Sequence, residues 1–242
     1  MLGDTPYTAA EVPRLDGLID DMNAERLAFI VHVGDIGGGN ACNDAWLEAR
    51  RQQFARIRAP FVLIPGDNEW KDCRDQAGRL AAWRRFFCGV RLPVEHQAGE
   101  YCEHMRWQAA GWVFATLNVP GHDNNLRNGA EHAHRMAAVL AWLDASAALA
   151  QKSGAGLVLL MQANPFLTVP RDGFVELRER LSALGSRMPD KVVLVHGDTH
   201  TYHDDEPLPG LHRVEVWGSP IVSWMRAGLE EGELRFSAPR YR

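Results

Sequence analysis

The chain contains no apolar run of about 18 residues, which excludes a membrane-spanning helix. It has no excess of positive charge. Its 26 Lys and Arg stand against 31 Asp and Glu, a net charge of −5, so the basic footprint of a nucleic-acid binder is missing. It has no Cys-x-x-Cys pair, which argues against a cysteine zinc site or a thioredoxin-type redox centre. Internal repeats, low-complexity linkers and a recognisable secretory leader are also lacking. The four cysteines fit either free thiols in a reducing compartment or two bridges in an oxidising one. What remains is an ordinary globular composition: 242 residues, 46% apolar and 24% charged, enough for a full core. We read residues 1–242 as a single domain.

Short apolar runs at residues 27–33, 61–64, 112–117, 156–161 and 192–195 have the length of buried strands. Residues 212–217 alternate and read as a strand with one wetter face, while 222–225 and 233–236 read as a closing hairpin around 228–232. Apolar residues three and four apart predict helices over 9–24, 44–57, 131–151 and 173–184. The alternation predicts a layered α/β fold, and the strand-dense tail predicts a second sheet packed on the first. Long polar loops remain at 34–43, 65–78 and 121–129, lengths that are usually functional in a compact domain.

The polar residues collect where the apolar runs end. Gly3-Asp4, Gly34-Asp35, Gly66-Asp67 and Gly197-Asp198 each follow such a run, and Gln162-Ala163-Asn164 follows another. One Gly-Asp pair is an ordinary turn or helix cap. In an α/β sheet, however, the carboxyl ends of strands converge on one crevice. Four aspartates gathered there would raise one another's pKa unless cations neutralised them. Two divalent ions sharing a bridging carboxylate would do so, an arrangement that serves attack at phosphorus; turns and caps are the alternative.

In order and wording the motifs Gly-Asp-Thr-Pro-Tyr (3–7), Gly-Asp (34–35), Pro-Gly-Asp-Asn-Glu-Trp (65–70) and His-Gly-Asp-Thr-His (196–200) resemble a divergent branch of the calcineurin-like metallophosphoesterase superfamily. The resemblance implies a β-sandwich of two mixed sheets flanked by helices, in α/β/β/α order. It implies a metal set of Asp4, Asp35 as the bridge, Asp67, Gln162 (or Asn164 in its place), Asp198 and His200. Pro6 falls where the pattern has a metal-binding histidine. Asn68 replaces the histidine that contacts phosphate and assists the leaving group, so it is the aligned catalytic position. An amide cannot donate a proton as a general acid at neutral pH.

Because imidazoles have been traded for oxygens, the set favours Mn²⁺, Mg²⁺ or Ca²⁺ over Zn²⁺, with iron also compatible. The reading is a metal-dependent hydrolase of small-molecule phosphate esters, with metal-bound hydroxide as nucleophile and activity altered by the lost histidines. The alternative is a non-catalytic metal- or ligand-binding descendant. A hydrolase of non-phosphate substrates is a more distant option.

Further positions carry weaker expectations. His196 shares a strand face with Asp198 and could support the site. His122 or His203 could replace the missing acid, although the asparagines around His122 equally suit turns. His32 reads as a hydrogen-bonded core histidine, and Glu69 and Trp70 as residues that fix their loop. Cys42 and Cys73 each follow a site loop and could pair; Cys88 and Cys102 are less expected to. Only Met1 and Leu2 precede the first motif, fewer than a central strand normally needs. As written the chain reads as cytoplasmic; a removed leader would make it periplasmic or secreted.

Overall fold

The N-terminal part builds the smaller of two β layers in this computed structural model, which describes residues 1–89, 91–237 and 240–241. Helix α1 (Val12–Ala24) leads to β1 (Ile30–His32), α2 (Asp44–Phe54), β2 (Phe61–Leu63) and α3 (Gln76–Phe87). Strands β1 and β2 pair in parallel, with His32 opposite Leu63. Leu2 forms a parallel bridge to His32, and Met225 donates its N–H to Met1 O at 3.0 Å. Met1 and Leu2 thus lie in the middle of this layer, paired on both edges.

The larger sheet uses β3 (Glu95–His96), β4 (Met105–Ala109), β5 (Trp112–Thr116), β6 (Gly156–Leu160), β7 (Val192–His196), β8 (His203–Leu208) and β9 (Leu211–Glu215). Their order is β3-β4-β5-β6-β7-β9-β8. Strands β5, β6, β7 and β9 are parallel, and the two ends of the sheet are antiparallel. Helix α4 (Gly129–Ser153) crosses from β5 to β6 and α5 (Val175–Arg187) from β6 to β7. The tail adds β10 (Ser223–Trp224), β11 (Ala227–Glu230), β12 (Glu233–Phe236) and β13 (Arg240–Tyr241).

Alternation along the strands decides the layering. On β6, Leu157 and Leu159 face α4 and α5, while Val158 and Leu160 face the smaller sheet. On β1, Val31 faces the larger sheet and Ile30 packs beneath α1, α2 and α3 with Leu15, Leu18, Leu47 and Trp83. The result is the expected α/β/β/α order, with one apolar core in each of the three gaps. Among the described residues no helix is long and apolar enough to cross a membrane.

Some expectations are corrected. The hairpin is β11 with β12, turning at Glu231 and Gly232, both with positive φ (56° and 88°), as a tight two-residue turn requires. Residues 223–224 pair with β13 instead. Helix α3 has only Ala82 and Trp83 fully buried and carries three arginines, so its apolar stripe is too thin to read. Strands β3, β4 and β8 are short or half-exposed and were likewise not anticipated. Cys42 pairs with Cys73, and Cys88 also pairs with Cys102, against expectation. The second pair meets because α3 ends at Cys88 beside the turn that opens β4, bringing the two Cα atoms to 5.8 Å.

Candidate metal centre

The motif loops leave the same edge of the two sheets, because Leu2, β1, β2, β6 and β7 all end there. Each loop turns at once. Asp4, Asp35, Asp198 and His200 have φ of 49°, 57°, 84° and 58°, a left-handed conformation that Asp tolerates better than most residues. The preceding glycines allow close approach as well: a methyl at Gly66 would stand 1.9 Å from Asp35 Oδ1, and one at Gly197 the same distance from Asp4 Oδ2.

Asp35 sits at the centre of a hydrogen-bonded group. Its Oδ2 accepts from Tyr7 Oη (2.6 Å), Asn68 Nδ2 (2.9 Å) and Gln162 Nε2 (3.3 Å), and its Oδ1 accepts from Asn68 N (3.1 Å). Gln162 Nε2 also donates to Asp67 Oδ1 at 3.3 Å. Gln162 reaches the group with its amide nitrogen, because its oxygen accepts from Gly121 N. Asp198 donates its N–H to Asp4 Oδ1 at 3.1 Å, and its own Oδ2 accepts from Asn164 N at 3.0 Å. His200 gives its Nδ1 hydrogen to Ser219 O (2.7 Å), which leaves Nε2 3.1 Å from Tyr7 Oη and 3.7 Å from Asp4 Oδ1.

Electrostatics in this group are unfavourable without a cation. Burial, followed by Asp198, pushes the Asp4 carboxyl well above the usual range; burial, followed by Asp67, does the same to Asp35. Burial and then Asp72 raise Asp67, and burial and then Asp67 push Asp198 up to about 7. Burial and the Asp35 charge keep the Tyr7 phenol protonated at any ordinary pH. The nearby cation is Lys71, whose Nζ lies 3.5 Å from Asp67, 3.0 Å from Asp72 and 3.7 Å from Asp123.

The four aspartates bring oxygen donors of the kind hard divalent ions take, and Asp4 Oδ2 is buried and lacks a hydrogen-bond partner among the described residues. It is not a closed cage. Among the described residues no three His, Cys, Asp or Glu side chains are grouped so as to hold a metal ion.

Supporting residues surround the group. Glu69 is buried and accepts from Ile36 N (2.6 Å), Gly66 N (2.6 Å) and Asp35 N (3.3 Å), so it pins the two central loops together, as anticipated. Buried Glu215 accepts from Thr199 N, Asn164 Nδ2 and His203 Nδ1 and so holds the last motif. His196 lies deeper, bonded through Nδ1 to Gly197 O and 4.0 Å from Glu215, with burial pushing it down to about 3. His32 is a core histidine bonded to Thr5 O and Gly34 N.

His122 is exposed and lines a cavity of about 370 Å³ with Lys71, Gln76, Asp123 and Arg127. This cavity adjoins the carboxylates through Lys71. A larger one of about 810 Å³ opens at the opposite ends of the strands and contains none of these residues. Sequence reasoning assigned no role to Tyr7, Lys71 or Glu215. Tyr7 lies inside the motif run 3–7 and Lys71 directly follows the run 65–70, and that position was the available signal.

No protein-family model matches the chain, and no curated protein matches its sequence. Solved structures do resemble it. A dimetal phosphatase from Danio rerio has a TM-score of 0.60 at 14% identity, covering 90% of this chain and 86% of that one. GAP50, the anchor in the inner membrane complex of Plasmodium, has a TM-score of 0.53 at 13% identity, covering 98% of this chain and 76% of that one. These likenesses show that the chain shares its fold with these two proteins.

Proposed function

We propose that the protein is a divalent-cation-dependent hydrolase of small-molecule phosphate esters. The observation that carries this reading is the convergence of Asp4, Asp35, Asp67 and Asp198 from four separate loops, with Asp4 Oδ2 buried and unpartnered among the described residues. The solved neighbour described as a dimetal phosphatase supports it at the level of the fold. Asp4, Asp35, Asp67, Asp198 and His200 are the donors available to a cation, and oxygen-rich donors favour Mn²⁺, Mg²⁺ or Ca²⁺. A bound divalent cation would polarise a phosphoryl oxygen and lower the pKa of water.

The chain's own residues supply the rest. Lys71 and Arg127 line the adjoining cavity together with Asp72 and Asp123, and an anionic ester would compete with these aspartates for the two cations. Asn68 fixes Asp35 with two hydrogen bonds and brings no titratable proton to the leaving oxygen. His122, exposed and lining that cavity, is the imidazole we assign to that task.

The test is a panel of phosphate mono- and diesters with and without Mn²⁺. Metal-dependent release of nitrophenolate, lost in Asp67→Asn, is the expected result. A second reading is a binding module that has kept the acidic group and lost chemistry. The hydrogen-bonded saturation of Asp35 favours it, and a fold neighbour described as an anchor is in keeping with it. Tight Mn²⁺ binding with no hydrolysis of any ester would establish that alternative.

A further inference from the structure

We propose that a cavity of about 300 Å³ between the edges of β1 and β11 receives an extended, apolar strand from a partner chain. It lies at the end of the strands remote from the carboxylates, so the proposal is independent of the hydrolase reading.

Two backbone edges face each other across this cavity. On β1, Ile30 N donates to Pro60 O and His32 O accepts from Ile64 N, so residues 30 and 32 serve β2. The residues between and beside them therefore turn their polar groups the other way. Leu2 uses some of these groups: its N–H donates to Val31 O (3.0 Å) and its O accepts from Val33 N (2.9 Å). The Val31 N–H and the Phe29 C=O, one step back along this edge, have no hydrogen-bond partner among the described residues. Both residues line the cavity.

The other wall repeats the pattern. The tight turn pairs Glu230 with Glu233, and Arg226 O accepts from Ser237 N, so residues 226, 228 and 230 serve β12. Met225 turns away from that side and exchanges both bonds with Met1, at 2.7 and 3.0 Å. Ala227, two residues on, turns the same way, lines the cavity, and has neither bond among the described residues.

A strand on this line runs parallel to β1 and antiparallel to β11, as Met1 and Leu2 do. One of its residues takes the Val31 N–H and gives its own N–H to Phe29 O; the preceding residue exchanges both bonds with Ala227. Val31 is fully buried, and a buried amide without a partner is rare. Strand addition supplies the missing partners on both walls. An alkyl chain would suit the apolar lining and leave those groups unpaired.

The lining also sets the chemistry of the guest. One face of the strand meets Trp112 and Phe114, and the other meets Ile30 and Trp224, so apolar residues are favoured at every position. The walls run over residues 27–31 and 225–229, room for about four residues at about 3.3 Å each. Among the described residues the lining has two arginines and no acid. Arg226 is paired with Glu25, whereas exposed Arg26 has no ion pair among the described residues. The parallel direction puts the amino end of the guest beside Arg26, so an acidic residue ahead of the apolar run completes the match.

Calorimetry and amide hydrogen exchange on the whole chain test this, with a peptide of two glutamates followed by four valines as the probe. The expected result is one peptide per chain, with exchange at Val31 and Ala227 slowed by about tenfold or more. Proline in place of the second and fourth valines should weaken binding by about tenfold or more, because proline has no N–H to give. Arg26→Glu, a change at an exposed and unpaired side chain, should weaken the valine peptide by about threefold or more. Equal binding of the two peptides, unchanged exchange at Val31 and Ala227, or no peptide binding overturns the proposal. Decanoate binding more tightly than the peptide also overturns it, in favour of a lipid site. None of these outcomes bears on phosphate ester hydrolysis.

Discussion

Gly121 donates its backbone N–H to Gln162 Oε1 at 2.5 Å, and that bond decides which end of the amide meets the carboxylates. A backbone N–H can only donate, so the Gln162 oxygen must face it and the NH₂ group must face Asp35 and Asp67. Gln162→Glu would keep the Gly121 bond and replace two donated hydrogens with a further negative charge. The expected outcome is a metal-free protein with a lower melting temperature and a larger rise on adding Mn²⁺ than wild type shows. Thermal melts across a Mn²⁺ series check this, because a ligand that binds only the folded chain stabilises it in proportion to its affinity.

The Asn68 position carries the prediction for substrate preference. General acid assistance typically contributes about 10²–10⁴-fold. With Asn68 committed to Asp35, nitrophenyl esters should turn over far faster than alkyl esters. His122→Gln should slow alkyl esters selectively if its imidazole supplies the proton. Equal chemistry-limited rates on both ester classes would refute the missing-acid account.

Two buried histidines predict sensitivity to acid. His32 takes an N–H from Gly34 on one ring nitrogen and His104 takes one from Asn118, so each is held neutral. Burial pushes both down to about 4 from 6.5. Between those values the unfolded chain binds a proton that the folded chain does not. Stability therefore falls as pH drops through that window, by about 3 kcal/mol for each histidine. The raised carboxylates act in the opposite direction, so the informative measurement is a comparison. Denaturant unfolding from pH 7 to 4 should show a shallower loss in His104→Gln, by close to one proton.

The two disulfides should differ in their consequences. Cys42–Cys73 spans 31 residues and joins the Asp35 loop to the Asp67 loop; Cys88–Cys102 spans 14 and touches neither. Loop-closure entropy puts their contributions at about 4 and about 3 kcal/mol. Replacing either pair with serine should lower the unfolding midpoint. Only the Cys42–Cys73 replacement should also weaken Mn²⁺ binding, which titration of the two variants checks. Both bridges suit an oxidising compartment.

The four Gly-Asp runs were legible because strand ends and glycines leave marks in sequence, and parallel strands bring those ends together. Glu69 was legible as a loop residue for the same reason. Tyr7 was not, since nothing in Gly-Asp-Thr-Pro-Tyr says that residue 7 reaches back to an aspartate 28 positions away. Glu215 lies on β9 as an ordinary polar residue of an alternating strand, and its partners come from elsewhere, Asn164 and Thr199 from loops and His203 from the neighbouring strand β8. Helix α3 escaped notice because arginines pairing with Asp44 and Glu103 hold it down where a broader apolar stripe would otherwise serve.

The left-handed backbone at Asp4, Asp35 and Asp198 restricts how these positions can be probed. An alanine there removes the carboxylate and also places a residue with no local hydrogen-bonding group in a conformation costing roughly 1–2 kcal/mol. A loss of metal binding in such a variant would mix ligand removal with a displaced loop. Asparagine tolerates the same conformation and matches aspartate in size, so only the asparagine series isolates the charge. The same constraint narrows the paths by which the chain can change at these three loops: aspartate, asparagine and glycine can interchange there while the loops keep their shape.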